Sequence, residues 1–437
     1  MTRYDDSYPL PGGRVGRSMR LAGMASGVVS GMVATGAGQI AKGNRPSLSE
    51  ALLTPSTAAR ITRDLGRMRG AAMKLGQMLS MDEGGVLPPE MAAVMARLRA
   101  DAPYMPPKQL RDVLNAEWGE GWRRRFSRFD VRPFAAASIG QVHRATTLDG
   151  RDMAIKVQYP AVRGSIDSDI DNVAALLRLP GLLPRDLDLS QMLAEAKRQL
   201  HREADYVAEA QNLTTFSDLL AGSPTFRVPD IHSDLSTSQV LAMSYLESEP
   251  IDELVDAPQA LRDRIAAELI ELVLRELFEF RLMQTDPNLA NYRFDPASGQ
   301  IVLLDFGAVL PIASDLAADF RQLLNAALDR DPGATRAAML RIGYFDHATV
   351  PRHRALIEEM FDTAMAPLRQ ADPFDFGRAN LVETLRDMGL AMGTDRDLAH
   401  VPPPATMFLH RKIGGIYLLA TKLKARVPLR EMLERYR

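Results

Sequence analysis

One stretch constrains this chain more than any other: Gln284-Thr-Asp-Pro-Asn-Leu-Ala-Asn291, followed by Ile301-Val-Leu-Leu-Asp-Phe-Gly307. It sets Asp286 and Asn291 in a loop, follows them with a short apolar, strand-like run, Ile301–Leu304, and delivers Asp305 at the turn beyond it. These residue types at this spacing suit phosphoryl transfer, which depends mostly on positioning and on neutralising phosphate charge. Asp286 can position or deprotonate an attacking hydroxyl, Asn291 can bind metal, and Asp305 can hold Mg2+ across the phosphates. Each piece is weak alone. Asp-Pro-Asn is an ordinary turn, and an Asp-Phe-Gly tripeptide is common by chance; the ordered combination carries the signal.

The 437 residues allow two domains or one large bilobal domain. A net charge of −2 gives no argument for nucleic acid or for attraction to acidic membranes. The absence of cysteine excludes disulfides, thiolate metal sites and cysteine nucleophiles, and fits a reducing compartment. The seven histidines show no H-x-x-x-H pairing, which argues against zinc.

Residues 1–20 are polar, with prolines and glycines, and are expected to be disordered. Residues 21–40 carry no charge and follow Arg14, Arg17 and Arg20. A signal peptide, a membrane span and a closely packed helix all fit that run. Gly23, Gly27 and Gly31 stand on one helix face, a spacing that favours membrane association or self-association as much as packing within the domain. Residues 47–100 read as helices. Ile61, Leu65, Met68, Ala72, Leu75, Met78 and Leu79 recur at helical spacing, and the mid-helix Gly76 suggests a close backbone contact. Lys74 in this helix would by itself be a solvated charge.

Pro103, Pro106 and Pro107 mark a boundary before a short helix, Lys108–Trp118. The period then changes: Phe129–Ala137, Ile139–Thr146 and Arg151–Gln158 read as strands, with Asp149-Gly150 as a hairpin turn. Lys156 lies in the third; a lone strand lysine is most simply an exposed edge residue. Asp188–Leu220 reads as one long helical region containing Glu195, Glu203, Asp205 and Glu209, and periodicity does not choose among these acids for a partner to Lys156. Gln239–Tyr245 reads as a strand, Leu246–Pro250 as a hinge and Pro258–Phe280 as a helix; beyond Gly307 the chain reads as mostly helical, with no C-terminal span.

In order along the chain stand Lys74-Leu-Gly-Gln77, Ala135-Ala-Ala-Ser138, Met153-Ala-Ile-Lys156, Glu203-Ala-Asp205, Gln284-Thr-Asp-Pro-Asn288 and Asp305-Phe-Gly307, joined by Phe408-Leu-His-Arg-Lys-Ile-Gly-Gly415. This set resembles the UbiB family of atypical protein-kinase-like proteins over roughly residues 20–437, in the form found in the mitochondrial coenzyme Q branch and its bacterial relatives. The resemblance implies an α+β, bilobal protein-kinase-like fold: a disordered segment 1–20, a helical extension 21–105, an N-lobe 106–246 and a mostly helical C-lobe 247–437. It implies ATP or ADP with Mg2+ or Mn2+. Lys156 would bind phosphates and pair with Glu203; Asp286 would be the catalytic-loop acid; Asn291 and Asp305 would hold metal. Ala135, Ala136, Ala137 and Ser138 would line the nucleotide where a protein kinase has a glycine-rich loop, with Met243 and Tyr245 as further nucleotide contacts. Lys74 and Gln77 would lie over the site and close the groove a peptide would need.

The implied function is an atypical kinase or ATPase supporting ubiquinone biosynthesis, peripheral to a membrane on its cytoplasmic side, or mitochondrial in a eukaryote. Its partners would be quinone-precursor lipids, quinone-biosynthesis proteins and a second copy of the chain. A Ser/Thr protein kinase and a nucleotide-sensing scaffold without turnover are the alternatives. The alanine loop, stiffer than glycine, counts against the first; the intact Lys156, Asp286, Asn291 and Asp305 count against the second.

Overall fold

The computed structural model describes residues 70–72, 74–75, 104–177, 190–286, 288–393 and 402–437. The expectations for residues 1–69 and for 76–103, including the charge-free run 21–40, Gly76 and Gln77, lie outside the described residues. The chain divides into two units: Met1–Gln211 with Asp230–Tyr245, and Asn212–Pro229 with Leu246–Arg437.

Among the described residues six strands come first: β1 (Phe126–Phe129), β2 (Ala135–Ala136), β3 (Gly140–Thr147), β4 (Asp152–Gln158), β5 (Phe226–Arg227) and β6 (Val240–Ser244). All but β5 form the antiparallel sheet of unit one, ordered β1–β3–β4–β6 with β2 on β3. The first strand ends at Phe129 rather than Ala137, because Pro133 cannot donate to a ladder and breaks the run. The expected hairpin at Asp149-Gly150 forms, closed by Thr147 N–H to the Arg151 carbonyl at 3.0 Å. Beneath β1, Trp118, Trp122, Phe126 and Phe129 make an aromatic cluster with centroids 4.9–6.1 Å apart. The Trp118 indole N–H is satisfied by the Leu235 carbonyl at 2.9 Å.

Helix α1 (Pro107–Trp118) enters this core. An unforeseen helix, α2 (Ile166–Leu177), buries Ile166, Ile170, Val173 and Ala174, a helical spacing present in the sequence. The helical region expected over 188–220 consists of two helices, α3 (Ser190–Glu203) and α4 (Tyr206–Leu219). The break is chemical. Asp205 Oδ1 accepts the Ala208 N–H at 3.2 Å, the N-capping bond that starts a new helix.

Unit two holds β7 (Glu249–Pro250), β8 (Leu282–Gln284), β9 (Tyr292–Asp295), β10 (Gln300–Leu303) and β11 (Val309–Pro311). One sheet runs β5–β10–β9–β7; β8 and β11 pair separately. Helix α5 (Gln259–Arg275) buries Ile265, Leu269, Leu272 and Val273 and widens into a π-helical segment, Glu276–Phe280, before Arg281 turns left-handed into β8. Helices α6 (Ser314–Asp329), α7 (Pro332–Ile342), α8 (Pro351–Met365), α9 (Leu381–Gly393), α10 (Pro404–Lys422) and α11 (Leu429–Glu434) follow, with a two-stranded pair, Phe374–Asp375 and Arg426–Val427. No helix among the described residues is long and apolar enough to cross a membrane.

Candidate functional site

In unit one, Lys156 is not on a sheet edge. β4 is paired on both sides, with Lys156 opposite Val142 and Leu241. Its ammonium therefore has to find an acid, and it takes Glu209 on α4, with Nζ at 2.7 and 2.9 Å from the two carboxylate oxygens. This corrects the pairing with Glu203 that the family resemblance implied. Glu203 ends α3 and Glu209 lies in the first turns of α4, so the break at Ala204–Asp205 gives the two acids different directions.

Glu203 instead accepts from Lys74 at 2.7 Å and from the Ser138 hydroxyl. The Lys74 side chain is 3% exposed and that of Glu203 15%, so Lys74 is a buried, paired cation and not a solvated charge. Gly70, one turn before it, sits against the alanine loop; a Cβ there would lie 3.0 Å from the Ser138 carbonyl oxygen. The described part of the N-terminal helix is thus clamped onto Ser138 from two directions.

The loop itself is stiffened at both ends. Ala135 and Ala136 are exposed and pair with Val142 and Gln141, and the Ala137 N–H reaches the Gly140 carbonyl at 2.9 Å. Gly140 has no room for a side chain, since a Cβ would stand 2.4 Å from the Val157 carbonyl oxygen, next door to Lys156. Met243 is buried opposite Ala154 on β6. The Tyr245 ring lies under the Arg144 guanidinium at 3.9 Å and edge-on to the exposed Phe134 at 5.6 Å. Phe134 precedes the loop and was not anticipated; an aromatic residue beside the alanines was its only signal.

In unit two, three segments interlock. The β9–β10 hairpin runs antiparallel with Tyr292 opposite Leu303, so Asn291, just before β9, and Asp305, just after β10, leave at the same end. A bond from Leu304 N–H to the Asn291 carbonyl at 3.1 Å extends that register. The Asn291 side-chain amide donates to Asp286 Oδ2 at 3.2 Å. β8 and β11 pair Gln284 with Val309, and the Thr285 N–H reaches the Ala308 carbonyl at 2.7 Å, which ties the segment before Asp286 to the one after Asp305. Asp305 Oδ1 accepts the Gly307 N–H at 2.9 Å. Phe306 is buried, packs against the tilted Phe216 ring at 4.6 Å, and its carbonyl accepts from Asn212 at 3.0 Å. Asn212 and Phe216, on α4, hold the residue after Asp305, and the sequence reading did not select them.

Two carboxylates and an amide are hard oxygen donors of the kind Mg2+ prefers, so Asp286, Asn291 and Asp305 fit the metal in chemistry. With the sheet lysine paired to a helix glutamate, a helix-rich unit two and a loop Asp, Asn and turn Asp brought together, the chain is of the protein-kinase-like class. The family follows from comparison. Residues 97–339 match the ABC1 atypical kinase-like domain. The chain is 36% identical over 424 residues to the mitochondrial atypical kinase COQ8 of Saccharomyces cerevisiae, covering 96% of this chain and 84% of that one. It is 35% identical over 435 residues to mitochondrial atypical kinase COQ8B of Rattus norvegicus, covering 97% and 80%. Among solved structures, a Mycobacterium tuberculosis protein in complex with erythromycin superposes with a TM-score of 0.60 at 26% identity, covering 87% of this chain and 95% of that one. The chain belongs to the ABC1, or UbiB, family of atypical kinase-like proteins.

Proposed function

We propose that the chain binds ATP or ADP with Mg2+ or Mn2+ and turns ATP over in support of quinone-lipid biosynthesis at a membrane surface. The observation that carries the reading is the interlocked set Asp286, Asn291 and Asp305, which gathers the oxygen donors that phosphoryl transfer needs. In this reading Asn291 and Asp305 hold the metal and Asp286 orients the attacking oxygen. Lys156 exchanges part of its hold on Glu209 for phosphate, and the alanine loop with Ser138 lies along the nucleotide. The bound metal supplies neutralisation of phosphate charge. The Lys74–Glu203–Ser138 clamp favours water or a small molecule over a protein as acceptor, because it fixes a helix against the loop where a kinase loop would flex. The mitochondrial atypical kinases it resembles support the quinone-lipid setting.

The test mixes purified protein, labelled ATP and Mg2+ with vesicles carrying a polyprenyl phenol, or with candidate proteins. Free phosphate released faster with the vesicles is the expected result. Label appearing in protein points to a Ser/Thr protein kinase, and binding without turnover points to a nucleotide-sensing scaffold.

A further inference from the structure

We propose that Lys412, on α10, is a positioning residue for the Asp286 loop. Its ammonium is anchored by Glu276 and grips the side chain of Gln284. The inference rests on the reading of Asp286 and Asn291 as phosphoryl-transfer groups.

Lys412 and Glu276 are each only 1% exposed. Lys412 Nζ lies 3.3 Å from Glu276 Oε1 and 3.2 Å from Oε2, donates to Gln284 Oε1 at 3.1 Å, and stands 5.5 Å from the Tyr292 ring centroid. Gln284 is two residues before Asp286, and Tyr292 directly follows Asn291. One cation therefore bonds to a residue before the loop and faces the ring of the residue after it.

The chemistry gives this contact a direction. An ammonium donates and cannot accept, so it can face only the carbonyl oxygen of the Gln284 amide. The NH2 end must then point away, and it donates to the Asp286 carbonyl at 3.0 Å. Lys412 thus decides which way Gln284 points, and Gln284 holds the backbone of Asp286. Stability alone does not account for a charge here, because well-packed apolar residues often replace a buried ion pair at no cost. Glu276 opens the π-helical segment, and such local widenings are frequent where a helix serves a functional site.

The experiment compares Lys412→Met/Glu276→Gln, which removes both charges at once, with Gln284→Met, which leaves the ion pair in place, and with all three changes combined. Expected are a fall in kcat for Mg–ATP hydrolysis of roughly tenfold or more, with KM within about twofold of the parent. The combined protein should be no slower than either parent variant, because both act through one contact. Hydrogen exchange should speed up about tenfold or more at the amides of Thr285 and Asn291 and stay unchanged in strand Gly140–Thr147. Rate losses that multiply, or unchanged exchange at residues 285–291, would overturn the proposal. Exchange is read without turnover, so a parent protein that hydrolyses no ATP defeats the proposed function while the positioning role is still decided. If removal of the charges prevents folding, Gln284→Met alone decides it by the same two readouts.

Discussion

Lys156 in unit one and Lys412 in unit two each face a glutamate that is 1% exposed, yet 11% of the Lys156 side chain is open against 1% of Lys412. Lys156 meets both oxygens of Glu209; Lys412 divides itself between a carboxylate and an amide. A paired lysine with an open flank can take a third, anionic partner without losing the first. A sealed one can only orient what already surrounds it. On the proposed reading, the same residue pairing serves a ligand contact in one place and an internal brace in the other, and exposure separates the two.

Asp305→Asn puts the largest strain on this division. The amide keeps an oxygen for the Gly307 N–H but loses the charge that offsets metal desolvation. Expected is complete loss of the Mg2+-dependent thermal shift with ATP, with the ligand-free melt nearly unchanged; a full shift in the variant defeats the metal assignment. Lys156→Met/Glu209→Gln should weaken nucleotide binding roughly tenfold to a hundredfold, as for loss of charge-assisted hydrogen bonds. The matching change at Lys412 and Glu276 should leave affinity alone. Titration calorimetry on both distinguishes them, and equal losses would erase the comparison.

A third change tests the other clamp. Lys74→Ala leaves Glu203 with a buried face and Ser138. Breaking a fully buried pair costs about 3–5 kcal/mol; with Glu203 partly wetted, about 2 kcal/mol is expected in urea unfolding. A loss under about 0.5 kcal/mol, the range of an ordinary surface change, would mean the clamp is not a stabilising contact.

Smaller again, except in acid, is the effect of His143. Its ring is buried, with Nδ1 donating to the Asp130 carbonyl at 2.8 Å and Nε2 accepting from Gln141 at 2.8 Å, and Gln141 in turn accepts from the Met105 N–H. Burial lowers its pKa to about 4 from the usual 6.5 of an exposed imidazole. Because the folded value is depressed, the unfolded chain takes up the proton first. Stability is full above about pH 6.5 and drains away as pH falls towards about 4, by up to about 3 kcal/mol. In unit two, burial pushes the Glu276 carboxyl up, and the adjacent Lys412 ammonium pulls it back towards the charged form. Unfolding midpoints of the parent and of His143→Gln from pH 4 to 7 should diverge towards the parent's acid end; parallel curves would remove His143 from the account. The smallest effect belongs to Ala137→Gly. Freeing this backbone should shift ATP and ADP affinities by a factor of a few, about 0.5–1 kcal/mol, and identical affinities for both would mean the loop does not touch phosphate.

The sequence announced the parts whose logic is local. Asp286, Asn291 and Asp305 were legible because the loop, strand and turn that bring them together lie within one short stretch. Lys156 was legible as a strand residue, but not that its strand is central, since pairing partners lie far along the chain. The choice of Glu209 over Glu203 was hidden by the cap at Asp205, which restarts the helix and resets the phase on which a periodicity argument depends. Lys412 stood in a conspicuous run, Phe408–Gly415, with nothing in it to say that its ammonium would be buried beside Gln284.

The wide turn Glu276–Phe280 has a consequence for chain length. Its closing bond runs from the Arg281 N–H to the Glu276 carbonyl, five residues back, where an ordinary helix spans four. Deleting one residue here would restore regular helix geometry and raise local helix quality. It would also rotate everything on one side of the cut by about 100° relative to the other, turning Glu276 and Gln284 out of phase with each other. A one-residue gap between residues 276 and 281, trivial by any count of identities, is therefore a change that could separate relatives that keep the loop geometry from those that only keep its letters.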